Sequence, residues 1–298
     1  MSNVTYSGSI EHKSTEISDY FELLKPRVMS LAIFTAFSGL VLAPGKIHPL
    51  ISFISILFTA IGAGAAGCLN MWYDQDIDAL MERTKKRPIV RGVIPAQEAL
   101  VFGVFLSLIS TMGMIVFVNL ASGIILLSSI AFYYFIYTVM LKRRTVQNIV
   151  IGGAAGAFPP MIGWAAKTGS ITTDSIILFL IIFLWTPPHF WALALYKSDD
   201  YKKAAVPMMP VIYGNKYTKK QILIYTILMS AVVTLPYFVK LSGKLYLFLS
   251  SLLSLYFIYL TIRLIFDPSN KTAPKVFAYS ILYLFSIFTL LIIDSFFI

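Results

Sequence analysis

The chain has 298 residues, of which 58% are hydrophobic and only 13% are charged, and its mean hydropathy is +0.79. A soluble domain carries about 25% charged residues, so this composition excludes an ordinary water-soluble globular protein. The net charge of +10 is explained by membrane topology and attraction to anionic lipid, and we therefore expect no nucleic-acid partner. The single cysteine, Cys68, excludes an internal disulfide and a Cys/His zinc cluster.

Apolar runs near twenty residues recur along the whole chain, which is the length that a helix needs to cross about 30 Å of hydrocarbon. Because the runs are continuous rather than alternating, they predict helices. The predicted fold class is all-α, a polytopic membrane protein in the lipid bilayer with about nine transmembrane helices. The expected spans are 27–44, 49–72, 97–117, 121–141, 148–166, 173–195, 219–239, 244–264 and 276–297.

The connections between these spans divide by charge. Of the 24 Lys and Arg residues, all but four fall on one side of the membrane, and the exceptions are Lys46, Lys167, Lys240 and Lys244. The positive-inside rule therefore predicts a cytoplasmic N-terminus. The two connections that are longer than topology requires, 73–96 and 196–218, lie on this cytoplasmic side, where we expect the chemistry.

The first 24 residues are polar and have no apolar signal core, and they are too acidic for a typical transit peptide. We therefore expect a cytosolic N-terminal tail at 1–24 and a single transmembrane domain at 25–298, in the cell membrane of a prokaryote. The domain opens with Leu24-Lys25-Pro26-Arg27. Pro26 suits the first turn of a helix, and the flanking basic residues are either phosphate ligands or interface anchors.

An acidic row closes the second span. Asn70, Asp74 and Asp78 are spaced so that a helix stacks them on one face, whereas Asp76 lies off that row. Two carboxylates and an amide are hard oxygen ligands that suit Mg²⁺ when phosphate and water complete its coordination. Basic residues that suit a diphosphate follow within a few turns, namely Arg83, Lys86 and Arg87. The alternative, a helix end with ordinary solvated charges, explains either half alone but not their combination.

This helix end, N-x-x-x-D-x-x-x-D followed by Arg-Thr-x-x-Arg-Pro, resembles the UbiA superfamily of intramembrane prenyltransferases. The fuller string Asn-Met-Trp-Tyr-Asp-x-Asp-Ile-Asp resembles the haem-farnesylating branch of that superfamily. The resemblance covers about residues 20–297 and implies a UbiA-like helix bundle. It also implies that the acids bind magnesium and the diphosphate of an isoprenoid donor.

The ends of spans four and five add further candidates. The superfamily places a Tyr and a Lys against the donor diphosphate here, which makes Tyr137 and Lys142 candidates. The alternative for both is an aromatic belt with positive-inside charges. In span five, Gly152 and Gly156 predict a small-residue face for close helix packing, and Pro159-Pro160 predicts a bent or loosened helix.

A second polar cluster surrounds the end of span six. Many superfamily members carry a second D-x-x-x-D here, but this chain has adjacent acids, Asp199 and Asp200. They are preceded by Lys197, which the resemblance makes a further candidate ligand of the diphosphate. Neighbouring residues point about 100° apart on a helix, so we expect at most one acid to face a metal, with Asp200 as the candidate ligand. His189 is the one histidine within an expected span; it either bonds a neighbouring carbonyl or contacts the porphyrin as an iron ligand or propionate partner.

The resemblance implies transfer of a farnesyl group from farnesyl diphosphate to a vinyl group of haem b, with addition of water, giving haem O. It implies Mg²⁺ as cofactor, haem b as substrate, and haem A synthase or terminal oxidase assembly factors as candidate partners. The site would face the cytoplasm from the inner membrane. Two alternatives stay open: a relative that prenylates an aromatic acid or quinone precursor, and a transporter, which the absence of a clear inverted repeat disfavours.

Overall fold

The computed structural model describes residues 15–297, and the first 14 residues of the expected tail lie outside this range. All the regular secondary structure within the described residues is helical. In chain order the helices are α1 (Ile17–Leu23), α2 (Pro26–Leu42), α3 (Pro49–Tyr73), α4 (Gln75–Leu80), α5 (Ala96–Phe117), α6 (Leu120–Ala131, continued by a π-helix over Phe132–Leu141), α7 (Asn148–Thr168), α8 (Thr173–Tyr196), α9 (Ser198–Lys203), α10 (Met209–Phe238), α11 (Lys244–Ile265) and α12 (Ala273–Asp294).

Eight of these helices are long and apolar enough to cross a membrane: α3, α5, α6 with its π-helical continuation, α7, α8, α10, α11 and α12. The one remaining expected span, 27–44, corresponds to α2, whose 17 residues include a shorter apolar segment, Met29–Leu42. Seventeen residues is the lower limit for crossing about 30 Å of hydrocarbon. The prediction of an all-α polytopic membrane protein is therefore confirmed.

The seventh span begins earlier than its apolar run predicts. Helix α10 starts at Met209, ten residues before the expected start, but Gly214 interrupts it with φ 77° and ψ 169°. That conformation lies outside the range of L-residues with a side chain, so the glycine permits a sharp break. The expected span over 219–239 is the second, longer segment of α10, and the segment before Gly214 belongs to the polar connection.

The element order contains a direct repeat. Spans α2, α3, α5 and α6 are matched by α7, α8, α10 and α11, and the second span of each set is followed by a six-residue helix, α4 or α9. Since each set has four spans, both begin at the same membrane face, so the repeat is not inverted. The first helices of the two sets, α2 and α7, pack closely at the centre of the bundle.

Two glycines allow α2 and α7 to approach. A Cβ atom at Gly39 would overlap the carbonyl oxygen of Pro160, and one at Gly163 would overlap that of Ala36. The prediction of a Gly152/Gly156 packing face is wrong. A Cβ atom at Gly152 would meet the ring of Tyr137 rather than a helix backbone, and one at Gly156 would have no atom of a neighbouring element within 4 Å.

Helix α7 continues through Pro159 and Pro160, and the loosening that these residues predict consists of the two backbone hydrogen bonds that they cannot donate. A proline cannot donate to the carbonyl four residues before it. For Pro159 that carbonyl is the one of Ala155, and it accepts a hydrogen bond from the Ser129 hydroxyl of α6 at 3.3 Å. A side chain of the neighbouring helix therefore satisfies a backbone group that the proline leaves free, as is typical of membrane helices.

The two long connections, 74–95 and 197–208, lie at the same end of the bundle, which we call the long-loop face. Helices α3, α8 and the π-helix end there, and α2 and α7 begin there. Residues 15–24 of the expected tail also pack at this face, where Leu23 is fully buried against Cys68, Met71 and Ile94. The polar candidates of the sequence therefore gather at one end of the protein.

Candidate functional site: a buried acid and base cluster at the long-loop face

The acidic row lies at the junction of α3 and α4. Asp74 ends α3 with φ −93° and ψ 9°, and the backbone hydrogen bonds Asp74 N to Asn70 O (3.0 Å) and Asp78 N to Asp74 O (2.8 Å) continue across the junction. Asn70, Asp74 and Asp78 are 3%, 0% and 2% exposed. The predicted spacing therefore places all three side chains on one buried face.

Asp74 is the centre of the first ion-pair network. Its carboxylate pairs with the Lys142 amine and accepts a hydrogen bond from the Asn70 amide at 2.7 Å. The Asn70 amide also donates to the Thr138 hydroxyl at 3.0 Å, and its carbonyl oxygen accepts from the Lys25 amine. Each polar group of this row is therefore held by a partner from another helix or from the segment before α2.

Asp78 has its own basic partner. The Arg87 guanidinium pairs with its carboxylate, and the buried Thr84 hydroxyl donates to its backbone carbonyl at 2.9 Å. The side chains of Arg83 and Lys86, which were predicted with Arg87 as diphosphate ligands, are exposed. Of the predicted basic residues after span two, the structure thus brings Arg87 against the acids and leaves the other two at the surface.

Asp76 lies off the row, as predicted. Its side chain is 61% exposed and pairs with both terminal nitrogens of Arg143 at 2.7 Å. The Arg143 hydrogen bonds hold the pKa of the Asp76 carboxyl below its ordinary value. Arg143 also lies 3.4 Å from Asp74 and 4.9 Å from the centre of the Tyr73 ring. It joins the exposed acid to the buried one.

The π-helix determines which side chains of span four reach this cluster. The Lys142 amide bonds to the Tyr137 carbonyl five residues before it (2.8 Å), and the Thr138 hydroxyl bonds to the Tyr133 carbonyl (2.8 Å). In an α-helix, residues five apart differ by about 140° around the axis, whereas i→i+5 bonding brings them much closer to the same side of the helix. Thr138 and Lys142 therefore face the acids together with Tyr133 and Tyr137, whose rings stack at 5.4 Å.

Lys25 was one of two basic residues with an open interpretation, and the structure brings it into the cluster. Its amine donates to Asn70 and lies 5.9 Å from the centre of the Tyr133 ring. Burial, with the nearby charges of Arg87 and Lys142, holds the pKa of Lys25 well below its usual range. Arg27, on the other side of Pro26, is exposed. The two basic residues of one motif therefore have different surroundings.

The cluster suits an anion together with a divalent cation. Three basic side chains, Lys25, Arg87 and Lys142, meet two carboxylates. Within residues 15–297 no three His, Cys, Asp or Glu side chains lie close enough to hold a metal ion by themselves. Two buried carboxylates and an amide are hard oxygen donors that fit Mg²⁺ when a bound phosphate group and water supply the remaining ligands. The basic side chains fit the same phosphate oxygens.

The second cluster lies on α9. Asp199 is exposed, whereas Asp200 is 9% exposed, so one of the two adjacent acids faces inward, as the helical spacing predicts. Lys197 is exposed, and its amine lies 6.0 Å from the Tyr196 ring. Tyr201, which follows Asp200, is buried. Burial raises the pKa of its hydroxyl, and the nearby charge of Arg83 opposes that rise. The second cluster therefore approaches the first through Tyr201, which lies near Arg83 of the loop after α4.

His189 lies deeper, between α8 and α12. Its ring stacks on Trp185 at 4.3 Å and on Phe277 at 4.6 Å, and its Nδ1 lies 2.6 Å from the Ser280 hydroxyl. That hydroxyl has one proton, which it donates to the Phe277 carbonyl at 2.6 Å. With the Ser280 proton used in that bond, the matching tautomer of His189 has Nδ1 as the donor to Ser280 and the lone pair on Nε2. No hydrogen bond among the described residues reaches Nε2.

The sequence reasoning missed Thr138, Tyr133 and Arg143. Tyr133 was hidden because an α-helical period places it on the face opposite Lys142. Thr138, four residues before Lys142, shares its face but was not considered beside the candidates Tyr137 and Lys142. Arg143 was counted only among the topology-setting charges. The spacing of Thr138 to Tyr133, which equals that of Lys142 to Tyr137, is a signal only once a π-helical period is assumed.

Comparison with known proteins identifies the family of the chain. The model of the UbiA prenyltransferase family matches residues 32–288. A protoheme IX farnesyltransferase of Rickettsia bellii is 56% identical over 283 residues, which is 95% of this chain and 94% of that protein. One of Parvibaculum lavamentivorans is 55% identical over 281 residues, covering 93% and 88%.

Solved structures show the same fold. A digeranylgeranylglyceryl phosphate synthase has a TM-score of 0.79 at 22% identity, covering 95% of this chain and 99% of that one. A UbiA homolog from Archaeoglobus fulgidus bound to GPP and Mg²⁺ has a TM-score of 0.64 at 17% identity, covering 92% and 99%. The chain belongs to the UbiA prenyltransferase family and, within it, to the group of the protoheme IX farnesyltransferases.

Proposed function

We propose that the chain transfers a farnesyl group from farnesyl diphosphate to a vinyl group of haem b, with addition of water, giving haem O and diphosphate. The observation that carries the proposal is the buried network in which Asp74 and Asp78 meet Lys142 and Arg87. Buried charges are costly in a membrane protein and mark functional sites. The relatives at 54–56% identity are described as protoheme IX farnesyltransferases, which supports the choice of donor and acceptor.

Asn70, Asp74 and Asp78 would hold magnesium, with Asp200 as a candidate ligand from the second cluster. When bound, the cation neutralises charge on the donor diphosphate and polarises its oxygens. The fit rests on hard oxygen donors that are buried next to basic side chains. The fold relative that binds GPP and Mg²⁺ supports a divalent cation as cofactor.

The basic side chains would bind the diphosphate and stabilise the charge that it gains on leaving. The bond that breaks joins the first farnesyl carbon to the diphosphate oxygen, and its electron pair leaves with the oxygen. Arg87 and Lys142 are held against the acids and would act directly, whereas the exposed Arg83, Lys86 and Lys197 would close on the bound donor. The Tyr137 hydroxyl would donate to it. Preorganised charge of this kind is usually the largest contribution to catalysis.

The allylic cation needs an apolar chamber without water until it meets the acceptor. The stacked rings of Tyr133 and Tyr137 lie beside the donor cluster, where their negative faces would stabilise a cation. The vinyl group supplies the electron pair of the new carbon–carbon bond, and the resulting cation takes hydroxide from water, releasing a proton. No described residue is placed as a general base, so positioning and electrostatics would carry the reaction.

We assign the acceptor side to His189. Its Nε2 has a lone pair directed away from Ser280, which is the form of imidazole that binds haem iron. The Nδ1 bond to a hydroxyl is the usual way in which a ligating histidine is oriented. Stacking between Trp185 and Phe277 would fix the ring plane. The alternative, a purely structural histidine, predicts that haem binds equally well without its imidazole.

The site would face the cytoplasm from the inner membrane, because the predicted topology assigns twenty of the 24 Lys and Arg residues to the side of the long connections. The tail at 1–24 and the single domain at 25–298 remain our proposed organisation. The product would pass to haem A synthase or to terminal oxidase assembly factors. Accessibility of a reporter fused before Thr15 would test the orientation, and a reporter found outside the cell would contradict it.

The deciding experiment uses the purified full chain in detergent with magnesium, haem b and farnesyl diphosphate. Extracted haem is analysed by mass spectrometry. We expect a product heavier by a farnesyl group and a water molecule, and no product when EDTA is present. If folded, magnesium-loaded protein gives no haem product, the acceptor assignment is wrong, and aromatic acids and quinone precursors are tested next as acceptors with the same donor.

A further inference from the structure

The segment before α2 places a lysine amine inside the donor cluster. Lys25 donates to the Asn70 carbonyl oxygen, which belongs to the amide that itself contacts Asp74 at 2.7 Å. The stem of Lys25 passes over α3 where Gly67 leaves room, since a Cβ atom there would lie 3.3 Å from the Lys25 side chain. Leu24 passes over Gly64 in the same way. The amine thus reaches the site along a glycine face of α3.

Lys25 does not hold this place by itself. Its backbone is left-handed, with φ 53°, a conformation that is unfavourable for a residue with a side chain. Its amine is repelled by two other cations, Arg87 and Lys142, which offset the attraction of the Asp74 and Asp78 carboxylates. A flexible segment would relax by turning the lysine out to water. Something must therefore hold the chain on the N-terminal side of Lys25.

That support is residues 15–24, which we call the N-terminal strap. Arg91 pairs with Asp19 at 3.0 Å and with Glu22 at 2.8 Å. The Thr15 hydroxyl donates to the Val93 carbonyl at 2.9 Å. The strap is further held by Tyr20, which bonds to Glu98 and packs edge-on against Phe102 at 5.2 Å, and by the fully buried Leu23.

The strap is also tied to the loop that carries the donor ligands. The Arg91 amide bonds to the Arg87 carbonyl at 2.9 Å, and Arg87 is the partner of Asp78. One residue therefore holds the strap through its side chain and the turn at Arg87 through its backbone. Neither role requires Arg91 to touch substrate, because its side chain points to Asp19 and Glu22.

We propose that Arg91 is a positioning residue that holds the strap so that the Lys25 amine contacts the donor diphosphate. The inference rests on the proposed prenyl transfer for the identity of the donor. It adds Lys25, from the segment before α2, to Arg87 and Lys142 as a third basic side chain that contacts the donor. Because Lys25 would contact the diphosphate both before and during bond cleavage, its loss should act mainly on KM for the donor.

The test is a double-mutant cycle on the full chain in lipid nanodiscs, with KM and kcat measured for farnesyl diphosphate. Arg91→Gln removes two partly exposed ion pairs, so we expect KM to rise about three- to ten-fold with kcat changed less than about two-fold. Lys25→Met should raise KM at least about ten-fold. In the Lys25→Met background, Arg91→Gln should add less than about two-fold, because its effect passes through Lys25.

Arg144→Gln is the matched control, since Arg144 is an exposed arginine at the same face with no ion pair among the described residues. Should Arg91→Gln fail to fold, Glu22→Gln removes only one of the pairs and should give a smaller rise in KM. Unchanged KM in Arg91→Gln, or an equal effect in both Lys25 backgrounds, would overturn the proposal.

Binding of magnesium and inorganic diphosphate, measured by calorimetry, separates this proposal from the proposed function. The same pattern of affinities is expected there: weaker binding in Arg91→Gln and Lys25→Met and unchanged binding in Arg144→Gln. If the wild-type chain binds diphosphate in this pattern but transfers no farnesyl group, the function is wrong and the strap stands. If transfer occurs but the pattern is missing, the strap proposal is wrong.

Discussion

Replacing Asp74 by Asn tests the centre of the proposed donor site. The carboxylate is fully buried and contacts Lys142, Arg143 and the Asn70 amide. The substitution keeps the shape but removes the charge that these partners require, and it removes a hard metal ligand. Breaking a buried ion pair costs about 3–5 kcal/mol, and we expect the lower value because Lys142 is 15% exposed and can reach water.

Activity should fall further than stability. Loss of one preorganised electrostatic contact costs about 10²–10³ in kcat, and Asp74→Asn also disturbs the metal site, so we expect at least about a 10³-fold loss. The assay is haem O formation by mass spectrometry, with folding checked by thermal unfolding in detergent. Asp76→Asn is the control, because its carboxylate is exposed and its pair with Arg143 contributes about 0–1 kcal/mol. More than a tenth of wild-type activity in Asp74→Asn would refute the assignment.

The other predictions concern the π-helix, the acceptor and the metal. Gly152→Ala should lower kcat/KM about ten-fold or more, because its methyl group would overlap the Tyr137 ring and misplace it; Gly156→Ala, with open space beside it, should be near wild type, and equal rates in the two would contradict the model. Ser280→Ala should weaken haem binding about ten-fold and shift the absorption spectrum of bound haem, since His189 loses its orienting bond; an unchanged spectrum would count against ligation. Removal of magnesium by EDTA should abolish turnover and readdition restore it, and full activity in EDTA would exclude the metal role.

The membrane architecture could be read from the sequence because its physical determinants are local. A helix that crosses hydrocarbon must satisfy its own backbone and be apolar over about twenty residues, so the run of residues over 49–72 already predicts α3. The same reasoning placed α5, α7 and α11 within a few residues. The same reasoning did not predict the start of α10. The apolar run begins at Lys219, but the long segment of α10 already begins after the break at Gly214.

The acidic row could also be predicted, since Asn70, Asp74 and Asp78 lie on one helical face by spacing alone. Which cations meet them could not. The residue types of Arg83, Lys86 and Arg87 do not show which of them meets the acids. Only the turn held by Thr84, whose hydroxyl donates to Asp78 O and whose carbonyl accepts from the Arg87 amide, brings Arg87 to Asp78. Ion pairing depends on the path of the chain between the partners, which the residue types do not specify.

The sequence by itself therefore determined the features that depend on residues near one another along the chain. These are the membrane spans, the charge asymmetry between the two sides, and the acidic row that indicates the family. Only the tertiary structure decided which side chains from distant segments of the chain come into contact. It brought Lys25, from a left-handed turn before α2, to an amide 45 residues away, and it brought Thr138 to the same amide through a π-helix. The physical reason is that a buried charge is stable only where several segments supply its partners at once, and no single stretch of sequence contains that arrangement.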